Sequence, residues 1–141
     1  MKVGVVVAEW NTSITSSLLN GAVKFLKDSG VKPDNIFVHH VPGSFELTLG
    51  AQWLAEQKKC DAVIALGCVI QGETKHFDFI CAAVANGITQ VGLKYNKPVV
   101  FGVLTTNTLQ QAKDRSGGKH GNKGTEAAAT ALKMALLQKS I

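Results

Sequence analysis

Four runs of apolar residues along the chain are each followed by a stretch in which apolar positions recur at helical spacing. The runs cover residues 2–8, 35–41, 61–70 and 98–106, and several are rich in valine and isoleucine. Such runs predict buried strands, and the third, which is almost wholly apolar, is typical of a central parallel strand covered on both faces. The periodic stretches predict helices around residues 14–26, 44–59, 77–91, 108–114 and 122–138.

This alternation of strands and helices predicts an α/β fold, a three-layer sandwich with a four-stranded parallel sheet and right-handed crossovers, in one domain over residues 1–141. In such sheets ligands bind beyond the carboxyl ends of the strands. The residues that follow the four strands are therefore expected to meet at one edge and form a single pocket. They are Trp10 and Asn11, residues 42–46, residues 68–76, and Thr105 and Thr106.

Length and charge narrow the functional classes. The chain has 141 residues, 45% of them hydrophobic, which is enough for a core without disulfides or metals. Its net charge of +5 is uneven, because residues 1–110 hold nine basic and eight acidic side chains while residues 111–141 hold six and two. The excess lies mainly in residues 113–124, which lack aromatic interleaving and any nucleic-acid motif. This loop favours a small anion over a nucleic acid, and a merely solvated loop is the alternative.

The sequence gives no support for a membrane protein, a secreted protein, a metal site or a nucleotide site. No apolar stretch approaches the roughly 20 residues that span a bilayer, and the first residues do not resemble a signal peptide, so a cytoplasmic protein without membrane contact is expected. Cys60, Cys68 and Cys81 are expected to be free thiols. Neither they nor the four histidines have metal-ligand spacing, and no dinucleotide or P-loop motif is present, so no metal and no cofactor is expected.

Three candidates at the predicted edge also have adequate structural explanations. Trp10 between a strand and a helix is more often a packing residue than a platform for a ligand. Ser44 is expected to cap the following helix. Glu46 lies in the first turn of that helix, where a carboxylate complements the helix dipole.

Two further segments suggest an anion site and a proton-transfer group. Backbone amides beside Gly72, together with the Thr74 hydroxyl, can hold an anion where a helix begins, although Glu73 is an awkward neighbour. His76, expected one turn into that helix, could serve there as a neutral imidazole that accepts a proton near pH 7. Arg115 offers a planar, permanently charged group suited to phosphate. Taken together, the residues predict an enzyme that handles a phosphorylated small molecule.

Five ordered blocks extend this prediction, because together they resemble one family over nearly the whole chain. The blocks are AEWN, VPGSFEL, ALGCVIQGETKHFDFI, KPVVFGVLTTNTLQQAKDRSG and GNKGTEAA. In order and spacing they are similar to the lumazine synthases. The resemblance implies condensation of 5-amino-6-(D-ribitylamino)uracil with 3,4-dihydroxy-2-butanone 4-phosphate, without cofactor or metal, in the penultimate step of riboflavin biosynthesis.

The resemblance also implies roles for individual residues. His76 matches the proton-transfer residue, and Arg115 matches the arginine that binds the phosphate together with Glu73 and Thr74. Lys123 and Glu126 match an ion pair on the phosphate side. The residues implied to contact the ribitylaminouracil are Trp10, Asn11, Ser44, Phe45, Glu46, Cys68, Val69, Ile70 and, from a neighbouring subunit, Phe101.

For assembly, the resemblance implies a flavodoxin-like subunit that forms pentamers with active sites between subunits. Some members close pentamers into an icosahedral shell, and riboflavin synthase is the implied protein partner. Many relatives carry a longer segment before the first strand, which here is expected to begin at Lys2, so closure of a shell is left open. Gln71 stands where arginine is frequent, and Glu73 where a small residue is common.

Two alternatives from other classes stay open at this point. The first is a noncatalytic shell protein that binds flavin or lumazine, against which the joint presence of His76 and Arg115 argues. The second is a flavodoxin-like carrier of FMN, for which Thr12, Ser13 and Thr15 after the first strand are suitable. The absence of glycine in that loop and the presence of Trp10 argue against this carrier.

Overall fold

A computed structural model describes residues 1–57 and 60–141. Its strands are β1 (Val3–Ala8), β2 (Ile36–Val41), β3 (Ala62–Ile70), β4 (Val99–Thr106), β5 (Ser116–Gly118) and β6 (Gly121–Asn122). Its α-helices are α1 (Thr12–Asp28), α2 (Leu47–Gln57), α3 (His76–Tyr95), α4 (Leu109–Asp114) and α5 (Lys123–Ser140). Short 3₁₀ turns at Pro33–Asn35 and Ser44–Glu46 precede β2 and α2.

The main sheet has four parallel strands in the order β2-β1-β3-β4. Val5 at the middle of β1 pairs with Val38 on one side and Ile64 on the other. The chain leaves β1 first towards β2 and then returns to β3 on the opposite side, so the switch point of the sheet lies between β1 and β3. In doubly wound folds the crevice outside the carboxyl ends at this point is where ligands bind.

The two faces of the sheet carry separate hydrophobic cores because side chains alternate along each strand. Val3, Val5 and Val7 of β1 pack on α1 and α5. Val6 and Ala8 face the other way and pack on α2 and α3. Helices therefore cover both faces, which confirms the predicted three-layer α/β sandwich with a four-stranded parallel sheet.

Helices α1 and α5 approach each other so closely that one contact point requires glycine. A Cβ at Gly124 would collide with the carbonyl oxygen of Leu18 in α1. This contact fixes the amino end of α5 against the middle of α1, and it also fixes the residues just before α5.

The predicted elements are confirmed with differences at their ends. The predicted helix over 44–59 begins as the 3₁₀ turn and becomes α-helical at Leu47, and its last two positions lie outside the described residues. The two-stranded sheet of β5 and β6 was not predicted, because three glycines within residues 117–121 hide any strand pattern. Helix α3 begins at His76, so the prediction that His76 lies one turn inside the helix is wrong.

Candidate active site

A cavity of about 600 Å³ opens at the carboxyl edge of the sheet, beside the switch point. Its volume lies within the range of small-molecule sites, roughly 300–1,000 Å³. Its walls come from the segments after β1 and β2, the end of β3 and the start of α3. The lining residues are Trp10, Asn11, Gly43, Ser44, Phe45, Glu46, Cys68, Val69, Ile70, His76 and Ile80.

The segment after β1 is held by its backbone and by one side chain. The amide of Trp10 donates to the carbonyl of Pro42 at 3.0 Å, which ties this segment to the one after β2. Asn11 has a left-handed backbone (φ 62°), and its side-chain amide donates to the carbonyl of Cys68 at 3.0 Å. The Trp10 side chain is left 73% exposed at the cavity rim. An indole held in this way is available for stacking, whereas the packing explanation would require a buried ring.

The segment after β2 turns sharply and is closed by Glu46. One carboxylate oxygen of Glu46 accepts a hydrogen bond of 3.1 Å from the amide of Gly43. The other oxygen accepts no hydrogen bond from a described residue. Phe45 is more than half exposed at the rim. Glu46 therefore acts as the cap of this turn and also presents a carboxylate to the cavity.

Ser44 does not have the capping role that its position suggested. It is the first residue of the 3₁₀ turn, and the cap position is Gly43. The Ser44 side chain is buried, and its hydroxyl has no hydrogen-bond partner among the described residues. A Cβ at Gly67 would come within 2.6 Å of this hydroxyl, so glycine there leaves room for it. A buried hydroxyl without a partner in the wall of a cavity is a candidate ligand contact.

The end of β3 offers backbone groups to the cavity. β1 pairs with β3 only as far as Leu66, whereas β3 continues to Ile70. The carbonyl of Cys68 on this side is bonded by Asn11, and Ile70, two residues further, faces the same way. Burial raises the pKa of the Cys68 thiol to about 11, so Cys68 is a neutral thiol at physiological pH and contributes through its backbone.

His76 lines the cavity from the amino end of α3. Its backbone amide donates to the Thr74 hydroxyl at 3.3 Å, while no described residue forms a hydrogen bond with its ring. The imidazole is thus available to a ligand. Glu73 and Thr74 precede it in an exposed loop and are not among the residues that line this cavity.

The remaining predicted site residues lie around a second cavity of about 660 Å³, beyond the end of β4. Arg115 is exposed there, and it forms no ion pair with any described residue. Lys123 and Glu126 also line this cavity but form no ion pair with each other within 4.0 Å. The lining residues include Phe101, Thr105, Thr106, Arg115, Lys119, His120, Lys123 and Glu126.

The four strand ends lie at one edge of the sheet, as expected, but within a single chain they do not line one pocket. The ends of β1, β2 and β3 meet in the first cavity, whereas Thr105 and Thr106 at the end of β4 face the second. His76 and Arg115, which the predicted mechanism uses together, line different cavities of the same chain.

Two kinds of feature are absent from the described residues. Within residues 1–57 and 60–141 no three His, Cys, Asp or Glu side chains are grouped so that they could hold a metal ion. In the same residues no helix is long and apolar enough to cross a membrane.

Comparison with known proteins identifies the family. The model of the 6,7-dimethyl-8-ribityllumazine synthase family matches residues 1–139. The chain belongs to this family. A 6,7-dimethyl-8-ribityllumazine synthase from Cytophaga hutchinsonii is 67% identical over 131 residues, covering 93% of this chain and 82% of the relative. One from Porphyromonas gingivalis is 58% identical over 139 residues, covering 99% of this chain and 86% of the relative.

Membership in the lumazine synthase family confirms the resemblance seen in the sequence motifs. One wall residue, Ile80, was missed by sequence reasoning, whereas Gly43 lies within the predicted segment 42–46. Ile80 could have been found, because it lies one helical turn after His76 and so shares its face of α3.

Proposed function

We propose that the protein is a 6,7-dimethyl-8-ribityllumazine synthase in riboflavin biosynthesis. It condenses 5-amino-6-(D-ribitylamino)uracil with 3,4-dihydroxy-2-butanone 4-phosphate to the lumazine, phosphate and water. The observation that carries this proposal is the first cavity, where an exposed indole, a carboxylate, an unpartnered hydroxyl and an imidazole meet at the switch point. A cytoplasmic location is part of the same proposal.

The uracil ring is assigned to the space between Trp10 and the end of β3. Stacking of a base on an aromatic side chain contributes about 1–3 kcal/mol in other proteins. Phe45 supplies a second exposed ring at the same rim. Beyond the end of β1, the backbone of Ile70 on this side supplies a donor and an acceptor for the edge of the pyrimidine, next to the bonded carbonyl of Cys68, whereas the backbone of Val69 faces β4.

The ribityl chain is assigned to the side chains that follow β1 and β2. The Ser44 hydroxyl and the second carboxylate oxygen of Glu46 are both without a partner among the described residues. Each can therefore bind a sugar hydroxyl. Asn11 keeps its side-chain carbonyl oxygen as an acceptor while its amide bonds to Cys68.

The phosphate is assigned to Arg115, to the Thr74 hydroxyl and to the backbone amides at Glu73 and Thr74. The Glu73 side chain and Gln71 are proposed to adjust affinity for the phosphorylated substrate.

Because Arg115 and His76 lie in different cavities of one chain, the complete site needs the second cavity of a neighbouring subunit placed against the first. That neighbour would also bring Phe101, Lys123 and Glu126. A pentamer with sites between subunits is the assembly we propose, and closure into a shell and contact with riboflavin synthase belong to the same proposal.

The reaction consists of proton transfers and departures that such a site can assist. The aromatic amine attacks the ketone, and loss of water gives an imine. Phosphate then leaves as a proton is removed from the adjacent carbon, and ring closure by the ribitylamino nitrogen releases the second water. His76 is the residue assigned to move protons, and Arg115 stabilises the charge of the departing phosphate. Alignment of the two substrates supplies much of the rate gain, since effective molarities reach roughly 10⁵ M or more in well-oriented systems.

The test is turnover of the two substrates by the purified protein, followed by the absorbance of the lumazine. Appearance of the lumazine with one phosphate released per turnover would support the proposal. Binding of lumazine or flavin without turnover would instead support a noncatalytic shell protein. A coloured protein with a reversible redox spectrum would support the FMN carrier.

A further inference from the structure

The loop that carries Arg115 lies between the buried Ala112 of α4 and the buried Ser116 of β5, while the Arg115 side chain itself is exposed. Arg115 follows the short helix α4, its side chain is exposed, and β5 and β6 beyond it contain only five residues. A cation on such a loop can bind an anion in a defined geometry only if something else holds the loop in place.

Asn122 makes this connection through three hydrogen bonds of one side chain. Its side-chain oxygen accepts from the amides of Gly124 at 2.8 Å and Thr125 at 3.1 Å, which caps α5. Its side-chain amide donates to the carbonyl of Ser17 in α1 at 3.0 Å, across 105 positions of sequence. Of the four hydrogen-bonding groups of this half-buried amide, only one N–H proton is not used by these bonds.

The backbone links Asn122 to Arg115 directly. Asn122 is paired with Ser116, the residue after Arg115, in the ladder of β5 and β6. The amide of Lys123 donates to the carbonyl of Arg115 at 2.8 Å. A displacement of Asn122 from α1 would therefore move Arg115 with it.

Gly21 in α1 leaves the space that the Asn122 side chain occupies. A Cβ at Gly21 would come within 2.6–2.7 Å of the carbon, oxygen and nitrogen of the Asn122 amide group. Since that group is held by three hydrogen bonds, it could not move aside without losing some of them. The backbone of Asn122 is extended (φ −129°), so replacing its side chain introduces no backbone strain.

We propose that Asn122 is a positioning residue that holds Arg115 in place by tying the β5–β6 segment to Ser17 of α1, in a space kept open by Gly21. This inference rests on the proposed function, in which Arg115 binds the phosphate of the second substrate. Asn122 itself is not assigned a contact with either substrate.

The test separates the tether to α1 from the helix cap. In Asn122→Ser the hydroxyl can still cap α5 but is too short to reach Ser17, whereas Asn122→Ala loses both functions. Gly21→Ala acts from the other side, because alanine favours the helix but intrudes on the Asn122 amide. For Asn122→Ser and Gly21→Ala we expect the KM for the butanone phosphate to rise by about tenfold or more, as small misplacements of a binding group do. The KM for the uracil is expected to stay close to that of the wild type.

Ile64→Val, a small deletion in the buried middle of β3, is the control for a general loss of stability, and it should leave both KM values unchanged. Binding of inorganic phosphate, measured by calorimetry on the wild type, Arg115→Ala and Asn122→Ser, provides a readout that does not need turnover. Weaker phosphate binding in both variants supports the inference. Wild-type phosphate binding and KM in Asn122→Ser and Gly21→Ala would overturn it. Absence of turnover in the wild type would refute the proposed function alone, and the phosphate measurement would still decide the role of Asn122.

Discussion

The side-chain amide of Asn11 bonds to the carbonyl of Cys68 across the switch point of the sheet, joining residues 57 positions apart in sequence. The same residue has a left-handed backbone, a conformation that asparagine tolerates better than most residues. Asn11 thus sets both the direction of the segment that carries Trp10 and its distance from the end of β3. The candidate ring site lies between the two.

Replacing Asn11 should separate these two contributions. Asn11→Gly keeps the backbone conformation but loses the hydrogen bond, so we expect the free energy of unfolding to fall by about 1 kcal/mol. Asn11→Ala adds the cost of a left-handed backbone, a further ~1 kcal/mol. Urea unfolding measures both values. In the proposed reaction both variants should raise the KM for the uracil more than that for the butanone phosphate. Equal stability of the two variants would mean that the backbone conformation of Asn11 is not under constraint.

His76 should affect turnover far more than binding of the uracil. Its ring has no hydrogen-bond partner among the described residues, so its removal leaves the cavity wall otherwise intact. We expect His76→Ala and His76→Gln to lower kcat by roughly two orders of magnitude or more, as loss of a general acid–base group does. The affinity for the uracil, measured by fluorescence titration, should change little. An unchanged kcat in both variants would remove the imidazole from the mechanism.

The strand ends show how far sequence could predict the site. Four parallel strands follow from the apolar runs, and their carboxyl ends share one edge, so the meeting of Trp10, the turn at Glu46 and the end of β3 was predictable. The left-handed backbone of Asn11 and its bond to Cys68 were not, because no local pattern encodes a contact between segments 57 residues apart.

The position of Arg115 could not be predicted from the hydrophobic pattern of the sequence. Its loop returns through α4 and the glycine-rich strands β5 and β6, which the Asn122 side chain bonds to α1, and no hydrophobic spacing marks this course. The resemblance to the family assigned Arg115 a ligand but could not show that its cavity is separate from that of His76 within one chain. The prediction that Ser44 caps its helix was wrong because the Glu46 side chain, which accepts from the amide of Gly43, caps this turn instead.

The Cys68 thiol should make stability fall at alkaline pH. Burial raises its pKa from 9.0 to about 11, so the folded state holds the proton more tightly than the unfolded state does. Its contribution to the free energy of unfolding is fully present below pH 9. As the pH rises towards 11, the free energy of unfolding falls by on the order of 1–3 kcal/mol. Urea unfolding of the wild type and Cys68→Ala at pH 8 and pH 10.5 isolates this effect from other groups that titrate there. The difference between the two proteins should shrink at the higher pH, and a constant difference would contradict the assignment.

Arg115 should govern affinity for the phosphorylated substrate. Loss of a hydrogen bond to a charged group costs about 1.5–3 kcal/mol, so Arg115→Ala should raise the KM for the butanone phosphate by roughly one to two orders of magnitude. Arg115→Lys keeps the charge but not the planar group, and an intermediate value is expected. The KM for the uracil serves as the internal control. Equal increases for both substrates would indicate a general distortion of the site.

Mixing two inactive variants should restore activity if each site is shared between subunits. His76 and Arg115 lie in different cavities of one chain, so in an oligomer of His76→Ala and Arg115→Ala subunits some sites would combine an intact His76 with an intact Arg115 from a neighbour. Unfolding and refolding the two variants together should therefore give more activity than the same variants refolded separately and then combined. Refolding the double variant His76→Ala/Arg115→Ala with the wild type is the control, because in that mixture a site is complete only where two wild-type subunits meet. Activity no greater than the sum of the separate variants would mean that a single chain supplies the whole site, and the proposed juxtaposition of the two cavities would then be wrong.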